Sequence, residues 1–356
     1  MTECYIMKVF YIERITTSTE RGQTGFMNLF YFFSKNKKIA LLLASYFILV
    51  SFSGCHRTAQ PVTYTDFYFN TVVSLTFYNE RDAALAEECF ALCENYEKLF
   101  SRTYEGSDVW CINHAKGTAI TVSDDTYRLI EESLYYCELT EGRIDITVAP
   151  LMDLWAFTDN QSDKIPPSQE EIDRLLEHVN YTNVNLGPDN TVTLTDPQAA
   201  IDLGFIAKGY VADQLKEFLV SKGVTSALIN LGGNINVIGN KPDGTAYSVG
   251  IQKPFASTGT VIDTLQITDT SVVTSGTYER YYEYDTVIYH HILDATTGYP
   301  INNHLTGVTI ICPSSTRADA LSTTCFVLGE EQAQAYIHTL EDTECILIDS
   351  EGNIIP

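Results

Sequence analysis

The sequence predicts an α+β fold in which mixed and antiparallel sheets are flanked by helices. Amphipathic runs with helical periodicity are separated by short alternating runs that are typical of half-buried strands. Several of these short runs follow one another as the arms of hairpins would, and no regular strand–helix–strand repeat occurs. With 356 residues, of which 45% are hydrophobic, the chain can form one large domain or two closely packed subdomains.

Six segments have the periodicity of an amphipathic helix. Their apolar residues recur every three to four positions, and Gly142, Gly223 and Gly329 follow three of them as C-terminal signals. Ser168 precedes another as an N-cap candidate. The predicted helices are residues 83–100, 124–140, 169–178, 209–222, 319–328 and 331–340.

Shorter segments alternate between apolar and polar positions, as strands with one buried face do. Many of them are rich in the β-branched and aromatic residues that favour a pleated, half-buried surface. The predicted strands are residues 67–78, 192–194, 200–203, 226–231, 246–252, 264–267, 271–274, 287–291, 307–312 and 344–348.

The charge of the chain excludes one class of partner. Its 46 acidic residues outnumber its 22 basic residues, which gives a net charge of −24 at pH 7. A surface of this sign is repelled by nucleic acid, so we expect no nucleic-acid partner. An anionic substrate would need a metal ion or a suitably placed lysine to neutralise its charge.

The cysteines do not indicate a disulfide framework. Seven of the nine remain once Cys4 and Cys55, which belong to the leader and the predicted lipid site, are set aside, and an odd number cannot all pair. Cys89 and Cys93 lie four positions apart on a predicted helix, a spacing that would also suit a metal pair. We favour core packing over a zinc site, because no partner ligands accompany them.

The first 54 residues are interpreted as a signal peptide region. Three lysines precede an apolar run, residues 39–52, that is too short to span a bilayer readily. Because Met27 would begin a signal peptide of ordinary length, the 26 residues before it are interpreted as an over-extended start. Small residues directly before Cys55 are similar to a bacterial lipobox, which predicts lipidation at Cys55. An uncleaved signal anchor is the alternative.

Lipidation would place the protein at the outer face of the cytoplasmic membrane. Acyl chains on Cys55 would act as a lipid anchor, since several buried chains give stable attachment to a membrane. Residues 55–65, which lack clear periodicity, would form the lipidated tether, and residues 66–356 would form the folded domain.

The most informative motif is residues 202–210, a turn with an acid, two glycines and a lysine that leads into a predicted helix. Gly204 and Gly209 permit the close approach of another backbone. Free N–H groups at a helix start and the ammonium group of Lys208 suit a phosphate, and Asp202 could accept a hydrogen bond from a ribose or base. A structural glycine turn with a surface lysine is the alternative. Neither a P-loop nor a Rossmann glycine motif is present.

A second candidate site is formed by Asp319 and Thr323. Their spacing places a carboxylate and a hydroxyl group on one face of a helix. Both are hard oxygen donors of the kind that Mg²⁺ binds, together with water and substrate phosphates. The alternative is that Asp319 caps the helix and that Thr323 is an ordinary polar surface residue.

Further motifs could complete a ligand site. Residues 290–300 contain a histidine pair, an acid and a turn, and a neutral histidine could serve as a general base. Residues 230–234 and 274–276 are glycine turns that could cradle a ligand. Aromatic side chains such as Tyr104 and Trp155 could form a wall for a flavin or adenine ring.

The chain resembles the ApbE-type FAD:protein FMN transferases, and the resemblance extends over nearly all of residues 66–352. The matching motifs occur in the order of that family, which makes the resemblance far more specific than any single motif. They are residues 100–101 with 112–113, then 142–155, 202–213, 230–234, 274–276, 278–280, 290–300 and 318–323.

The resemblance implies an ApbE-like flavin transferase fold and a defined reaction. FMN would be transferred from FAD, the substrate, to a threonine hydroxyl of a target protein, with Mg²⁺ as cofactor and AMP as the released product. The implied partners are flavin-acceptor proteins of membrane electron-transfer systems, in which the acceptor threonine lies in a short motif that ends approximately Ser/Thr-Gly-Ala-Thr. Residues 66–356 would then be the flavin transferase domain.

The resemblance also implies roles for individual residues. His291 matches the histidine that would activate the acceptor threonine. Asp319 and Thr323 match the Mg²⁺ ligands, together with a backbone oxygen of Phe205. The residues implied in FAD binding are Phe69, Tyr104, Arg143, Ile144, Asp145, Asp202, Lys208 and Leu293.

Several positions depart from the usual family pattern. Phe69 and Asn70 stand where the family commonly has Met-Gly, and Arg143 and Ile144 replace a small residue and phenylalanine. Phe205 replaces alanine, which a backbone ligand tolerates. No departure removes a side chain implied as a metal ligand or base, so we still expect activity.

Two other functions would use the same residues in part. An FAD pyrophosphatase would admit water in place of the threonine and would release FMN and AMP from the same site. A flavin-binding lipoprotein without catalysis would need neither a general base nor a metal pair, so the presence of His291, Asp319 and Thr323 argues against it.

Overall fold

The computed structural model describes residues 60–157, 164–257 and 259–355, which all fall within one compact unit, residues 59–356. The predicted signal peptide region and the predicted lipidation site Cys55 lie outside the described residues. Within the described part of the chain, no helix has both the length and the apolar character needed to cross a membrane.

The described residues form helices and strands that alternate irregularly along the chain. The α-helices are α1 (Glu80–Ala83), α2 (Ala86–Phe100), α3 (Asp108–His114), α4 (Asp124–Leu139), α5 (Ala149–Trp155), α6 (Gln169–Leu176), α7 (Ala207–Ser221), α8 (Ser315–Leu328) and α9 (Glu330–Ile337). The strands are β1 (Val62–Tyr68), β2 (Thr71–Phe77), β3 (Ile120–Thr121), β4 (Val184–Gly187), β5 (Thr191–Leu194), β6 (Ala227–Leu231), β7 (Asn234–Ile238), β8 (Tyr247–Gln252), β9 (Val261–Ile267), β10 (Ser271–Gly276), β11 (Tyr281–Tyr284), β12 (Val287–His290), β13 (Leu293–Asp294), β14 (Tyr299–Pro300), β15 (Leu305–Cys312), β16 (Glu344–Asp349) and β17 (Ile354–Ile355).

Eight strands form one antiparallel sheet in the order β1-β2-β6-β7-β10-β15-β16-β17. Strand β2 shows that one face of this sheet packs on the core: its alternate residues Val73, Leu75 and Phe77 are fully buried. A three-stranded sheet, β3-β5-β4, and the hairpins β8–β9, β11–β12 and β13–β14 complete the described strands. The predicted α+β fold with antiparallel sheets flanked by helices is confirmed.

Helix α8 lies at the centre of the main core. It lacks an amphipathic face, and apolar residues on all its sides are buried, including Ala318, Leu321 and Phe326. A helix that is buried on all sides must be enclosed by other elements, and the buried residues of α8 include Ser322 and Thr324 as well as the apolar ones. Cys89 and Cys93 of α2 are fully buried in the same core, as core packing predicts.

The contact between α7 and α8 depends on Gly209. A Cβ atom at this position would lie 2.2 Å from the carbonyl oxygen of Ser315 and 2.7 Å from Cβ of Asp319. Only glycine allows two backbones to approach this closely, which accounts for the second glycine of the 202–210 motif. The contact brings the start of α7 against the first two turns of α8.

The prediction of one strand over residues 67–78 is wrong, because the segment is the β1–β2 hairpin. Its two-residue turn has φ angles of +54° at Phe69 and +55° at Asn70. Glycine and asparagine are the residues that favour such a turn, so phenylalanine gave no turn signal in the sequence.

Two further boundaries differ from prediction. Residues 200–203 form an isolated bridge between Ala200 and Val148 instead of a strand. Strand β1 begins at Val62, so the folded domain starts within the predicted tether and before the predicted boundary at residue 66. The tether was assigned because residues 55–65 lack alternation, and β1 lacks it because almost all of its residues are exposed.

Candidate active site

The centre of the candidate site is Asp319, whose side chain is almost completely buried within α8. Its Oδ2 accepts a hydrogen bond of 2.9 Å from the backbone N–H of Gly209, and its Oδ1 lies 3.5 Å from Nζ of Lys208. Burial raises the pKa of Asp319, whereas Lys208 and the Gly209 N–H favour the charged carboxylate. The alternative that Asp319 caps the helix is wrong, because α8 begins at Ser315 and is capped by Ser314.

Thr323 lies one helical turn after Asp319, as their spacing predicts. Its Oγ1 is 3.0 Å from Oγ of Ser275, and that hydroxyl group is also 2.7 Å from Oγ of Ser322. Residues 274–276, which the sequence suggested as a glycine turn, are the last residues of β10. The end of β10 therefore meets α8 at the hydroxyl group of Thr323.

The backbone before α7 leaves one carbonyl group free. In a regular helix the N–H of Gly209 would donate to the carbonyl of Phe205, four residues earlier, but here it donates to Asp319. Among the described residues, no backbone N–H donates to the Phe205 carbonyl oxygen. The neighbouring carbonyl of Gly204 accepts a hydrogen bond of 3.2 Å from Nζ of Lys208. The Phe205 oxygen is thus available to a ligand.

These groups fit a hard cation. Carboxylate, hydroxyl and carbonyl oxygens are ligands that Mg²⁺ accepts, and water or phosphate oxygens fill its remaining positions. The buried amide of Asn234 adjoins Asp319, yet its Nδ2 has no hydrogen bond of normal geometry, and such unsatisfied groups are rare away from functional sites. The described part of the chain contains no group of three or more His, Cys, Asp and Glu side chains suited to a metal. An ion here would therefore depend on Thr323 and Phe205 as well as Asp319.

The two adjacent histidines have different surroundings. His290 is buried, with Nε2 2.9 Å from the carbonyl oxygen of Ile301 and Nδ1 3.3 Å from the backbone nitrogen of Ile292, so both ring nitrogens are used within the fold. Nδ1 of His291 is 3.3 Å from the carbonyl oxygen of Arg280. Because a carbonyl only accepts, Nδ1 carries the proton, and Nε2 of His291 keeps a free lone pair.

Both histidines are neutral at physiological pH. Burial, Arg280 and His290 lower the pKa of His291 to about 3. Burial lowers the pKa of His290 to about 4. His291 can therefore accept a proton at Nε2 without first losing one.

Lowering the pH should destabilise the fold through His290. Its pKa of about 4 in the folded protein lies below the ordinary value of 6.5, so the unfolded chain binds more protons between these values. His290 alone should lower the free energy of unfolding by about 1 kcal/mol per pH unit as pH drops from 6.5 towards 4, in addition to the fall that the lowered pKa of His291 causes. Urea unfolding at pH 7, 6 and 5 measures this slope. The variant His290→Gln should have a flatter profile, and an equal slope in both proteins would contradict the assignment.

Sequence reasoning did not assign a role to Glu279, which follows β10 within the 278–280 motif. Its side chain is accessible to solvent, but the surrounding protein raises the pKa of Glu279 to about 7, against the opposing effects of Lys208 and Arg280. The negative charge of Asp319 adds to the increase. Glu279 is thus a carboxyl group that lies near Lys208, Arg280 and Asp319. The signal that could have found it was its place within a matched motif, residues 278–280.

Asp202 is held by Arg102, another residue that sequence reasoning left unassigned. The Nε atom of Arg102 lies 2.8 Å from Oδ2 of Asp202, and Oδ1 of Asp202 accepts from the N–H of Gly204 at 2.7 Å. Tyr104 follows in the same loop, and its side chain is 48% exposed. The structure thus joins the loop after α2 to the 202–210 turn.

Arg143 and Leu293 are brought together although they are distant in sequence. The Nε atom of Arg143 lies 3.0 Å from Oδ2 of Asp294, and the carbonyl of Arg143 accepts from the N–H of Ala295 at 3.0 Å. Leu293 is buried beside Trp155, in a cluster that also includes Phe157.

Other residues implied in FAD binding have structural partners of their own. Both carboxylate oxygens of Asp145 are engaged: Oδ1 accepts from the N–H and hydroxyl of Thr147, and Oδ2 accepts from the N–H of Tyr181. Ile144 is buried in the core. The N–H of Phe69 donates to Oε1 of Glu97 at 2.7 Å. The carboxylate of Asp145 therefore orders its own loop.

Solved structures support the fold at substantial sequence identity. The chain is similar to the crystal structure of the ApbE protein from Thermotoga maritima, with 33% identity and a TM-score of 0.75 over 83% of this chain and 96% of that one. It is also similar to the flavin transferase ApbE from Vibrio cholerae, with 28% identity and a TM-score of 0.74 over the same shares of the two chains.

Curated relatives cover most of the chain. A protein from Klebsiella pneumoniae named FAD:protein FMN transferase is 35% identical over 295 residues, which are 82% of this chain and 90% of that protein. One from Treponema pallidum with the same name is 31% identical over 322 residues, 85% of this chain and 88% of that protein. Residues 69–347 match the ApbE family. With a match over most of its length and relatives above 30% identity, this chain belongs to the ApbE family.

Proposed function

We propose that this protein transfers FMN from FAD to a threonine hydroxyl of a target protein, in a Mg²⁺-dependent reaction that releases AMP. The observation that carries the proposal is the α7–α8 contact, which brings the Lys208 ammonium and the Gly209 N–H to the Asp319 carboxylate and withdraws that N–H from the Phe205 carbonyl four residues earlier. The names of the family relatives support the transferase activity.

The pyrophosphate of FAD would bind at the start of α7. Lys208 and the positive N-terminal end of the dipole of this helix offer positive charge in an otherwise acidic protein. Asp319, Thr323 and the Phe205 carbonyl would hold Mg²⁺, which when bound neutralises charge on the pyrophosphate and on the leaving AMP. Arg102 would keep Asp202 in place beside this site.

His291 would act as the general base. Its Nε2 lone pair would take the proton of the acceptor hydroxyl while the threonine oxygen forms a bond to the phosphorus of the FMN half. The bond between that phosphorus and the bridging oxygen would break, and AMP would leave with the electron pair. The Arg280 carbonyl, which holds the Nδ1 proton, would keep the ring oriented throughout.

The variant His291→Ala should lose transfer about 10²- to 10⁴-fold, because positioned general bases contribute rate factors of that size. FAD affinity, measured by titration of flavin fluorescence, should stay within a few-fold of wild type. A variant that retained the full transfer rate would show that His291 is not the base.

One experiment tests the reaction itself. The soluble domain is incubated with FAD, Mg²⁺ and an acceptor domain that carries the Ser/Thr-Gly-Ala-Thr motif, and the mass of the acceptor is measured. A metal-dependent increase by the mass of FMN minus water supports transfer. Release of FMN and AMP without an adduct would identify a pyrophosphatase, and no turnover would identify a flavin-binding protein.

We also propose that the protein works at the outer face of the cytoplasmic membrane, lipid-anchored at Cys55. The acceptors would be flavin-bearing proteins of membrane electron-transfer systems, which the tethered domain could reach. Replacement of Cys55 by serine in the full chain should release the protein from the membrane fraction, and retention there would contradict the lipid anchor.

A further inference from the structure

Asp213 of α7 makes a contact with α8 that the proposed chemistry does not use. Among the described residues, its carboxylate accepts five hydrogen bonds, four from the start of α8 and one from β7. The donors to Oδ1 are the N–H of Ser315 at 2.8 Å and Nδ2 of Asn236 at 3.0 Å. The donors to Oδ2 are the N–H of Thr316 at 2.9 Å and the hydroxyl groups of Thr316 and Ser314, each at 2.8 Å. Asp213 therefore joins α7, α8 and β7.

The start of α8 depends on Asp213 for its cap. The first N–H groups of a helix have no partner within that helix. Those of Ser315 and Thr316 donate to Asp213. That of Arg317 donates to Oγ of Ser314 at 3.2 Å, and the Ser314 hydroxyl itself donates to Asp213. A carboxylate at this end also interacts favourably with the helix dipole. Because the carboxylate belongs to another helix, the cap ties α8 to α7.

Asp213 lies one helical turn after Gly209, on the same face of α7. Gly209 lets the two helices approach closely, but the absence of a side chain does not determine how α8 is turned about its axis. The hydrogen bonds to Asp213 do, because each requires a particular direction. A shift of α8 by one residue would rotate its side chains by about 100°. That rotation would carry Asp319 away from the Gly209 N–H.

The junction of α7, α8 and β7 contains buried polar atoms that stability alone does not explain. Oδ1 of Asn236 and Oγ of Ser315 are buried without a hydrogen-bond partner among the described residues. Nδ2 of Asn234, beside Asp319, is in the same state. Apolar side chains of similar shape would avoid the cost of these unsatisfied groups. Such groups are rare in native proteins, and a junction that retains them is more specific in its geometry than it is stable.

We propose that Asp213 is a positioning residue, which fixes the register of α8 on α7 and thereby the places of Asp319 and Thr323 at the proposed cation site. This inference rests on the proposed function. Gly209 sets the distance between the two helices, and Asp213 sets the rotation of α8. Neither residue needs to touch the cation to control how well it is bound.

The chemistry of the contact makes Asp213→Asn a sensitive test variant. Both oxygens of Asp213 accept from backbone N–H groups, those of Ser315 and Thr316, and these cannot reverse their direction as a hydroxyl group can. In either orientation, an asparagine would place its NH₂ group against one of them. The variant therefore changes the shape of the side chain little and disrupts the cap.

A second aspartate provides a matched control. Oδ2 of Asp108 accepts from the N–H and the hydroxyl of Ser123, at 2.9 and 2.7 Å, and from the hydroxyl of Thr126 at 2.7 Å, at the start of α4. Helix α4 carries none of the proposed cation ligands. The control variant is Asp108→Ala, because an asparagine oxygen could keep bonds that all reach one atom. It shows the effect of losing a helix cap elsewhere in the fold.

The experiment measures two quantities on each protein, under conditions in which urea unfolding shows that it is folded. The first is the Mg²⁺ concentration for half-maximal FMN transfer. Asp213→Asn should raise it at least about tenfold, the order by which loss of a group that supports a metal ligand weakens metal binding. The transfer rate at saturating Mg²⁺ should stay within about threefold of wild type, since the ligands themselves are unchanged.

The second quantity is hydrogen exchange at the Gly209 amide in the metal-free protein, because this N–H donates to Asp319. In Asp213→Asn the amide should exchange at least about tenfold faster, since exchange follows the free energy of local opening. Asp108→Ala should match wild type in both quantities. Wild-type values of either quantity in Asp213→Asn, or equally fast exchange in both variants, would overturn the positioning role and leave the proposed function intact.

Other outcomes separate the positioning role from the proposed function. A wild-type protein without Mg²⁺-dependent transfer would overturn the function, and Gly209 exchange would then decide the positioning role alone. If Asp213→Asn fails to fold, Thr316→Val removes a single hydroxyl donor to Asp213, and Thr126→Val does the same at Asp108. Thr316→Val should speed Gly209 exchange several-fold and Thr126→Val should not. Equal exchange in these two variants would overturn the role of Asp213.

Discussion

In the variant Asp319→Asn, the rate of Mg²⁺-dependent FMN transfer should fall by at least about a hundredfold, because removal of one electrostatic contact with the transition state lowers rates on that scale. Asparagine keeps the shape of aspartate and can still accept from the Gly209 N–H, so the α7–α8 contact should survive. Its neutral amide is a much weaker ligand for a hard cation. Activity assays over a range of Mg²⁺ concentrations measure the loss.

A thermal readout separates metal binding from catalysis. Mg²⁺ that binds only the folded protein raises the Tm of wild type with increasing concentration. The variant Asp319→Asn should show no such rise, and without metal it should be at least as stable as wild type, because burial disfavours the charged carboxylate. Thr324→Ala is the control on the same helix, since among the described residues the Thr324 hydroxyl donates only to the carbonyl of Ala320. An undiminished Mg²⁺ shift in Asp319→Asn would place the cation elsewhere.

The variant Gly209→Ala should destabilise the fold and inactivate the site together. In an open helix the change from glycine to alanine stabilises by about 1 kcal/mol. Here the added Cβ would lie 2.2 Å from the Ser315 carbonyl oxygen, which is backbone and cannot turn away. Overpacking of this kind costs about 1–3 kcal/mol, and it would push the start of α7 away from Asp319.

Urea unfolding and transfer assays on the same preparation test this expectation. Gly244→Ala is a suitable control, because a Cβ there meets nothing within 4 Å and only its positive φ of 83° adds strain. Gly244→Ala should therefore keep full activity. A Gly209→Ala protein with raised stability and normal transfer would show that α7 and α8 do not need their close approach.

Local patterns predicted the parts of the site that lie on single elements. The four-residue spacing of Asp319 and Thr323 fixes them on one helix face wherever the helix starts, so the pair was found although α8 begins four residues earlier than predicted. The glycines of the 202–210 motif indicated a close approach, which Gly209 makes. Neither pattern could predict which element of the fold Gly209 would contact.

The missed residues depend on contacts between distant segments. Arg102 belongs to the site because it reaches Asp202, a hundred residues further along the chain, and no local pattern encodes that ion pair. Glu279 stands out only through its surroundings, which include Lys208 and Asp319. Asp145 shows the converse: its motif was recognised, but only the structure shows that both its oxygens are bound by Thr147 and Tyr181.

The free carbonyl of Phe205 has a consequence for mutational scans. Its oxygen belongs to the main chain, so every side chain at position 205 leaves it in place, and a scan there would report a tolerant position. What exposes the oxygen is the hydrogen bond that diverts the Gly209 N–H to Asp319. If this oxygen binds the cation as proposed, the loss of activity on mutation should therefore appear at position 209, four residues further on, and at position 319, on a different helix.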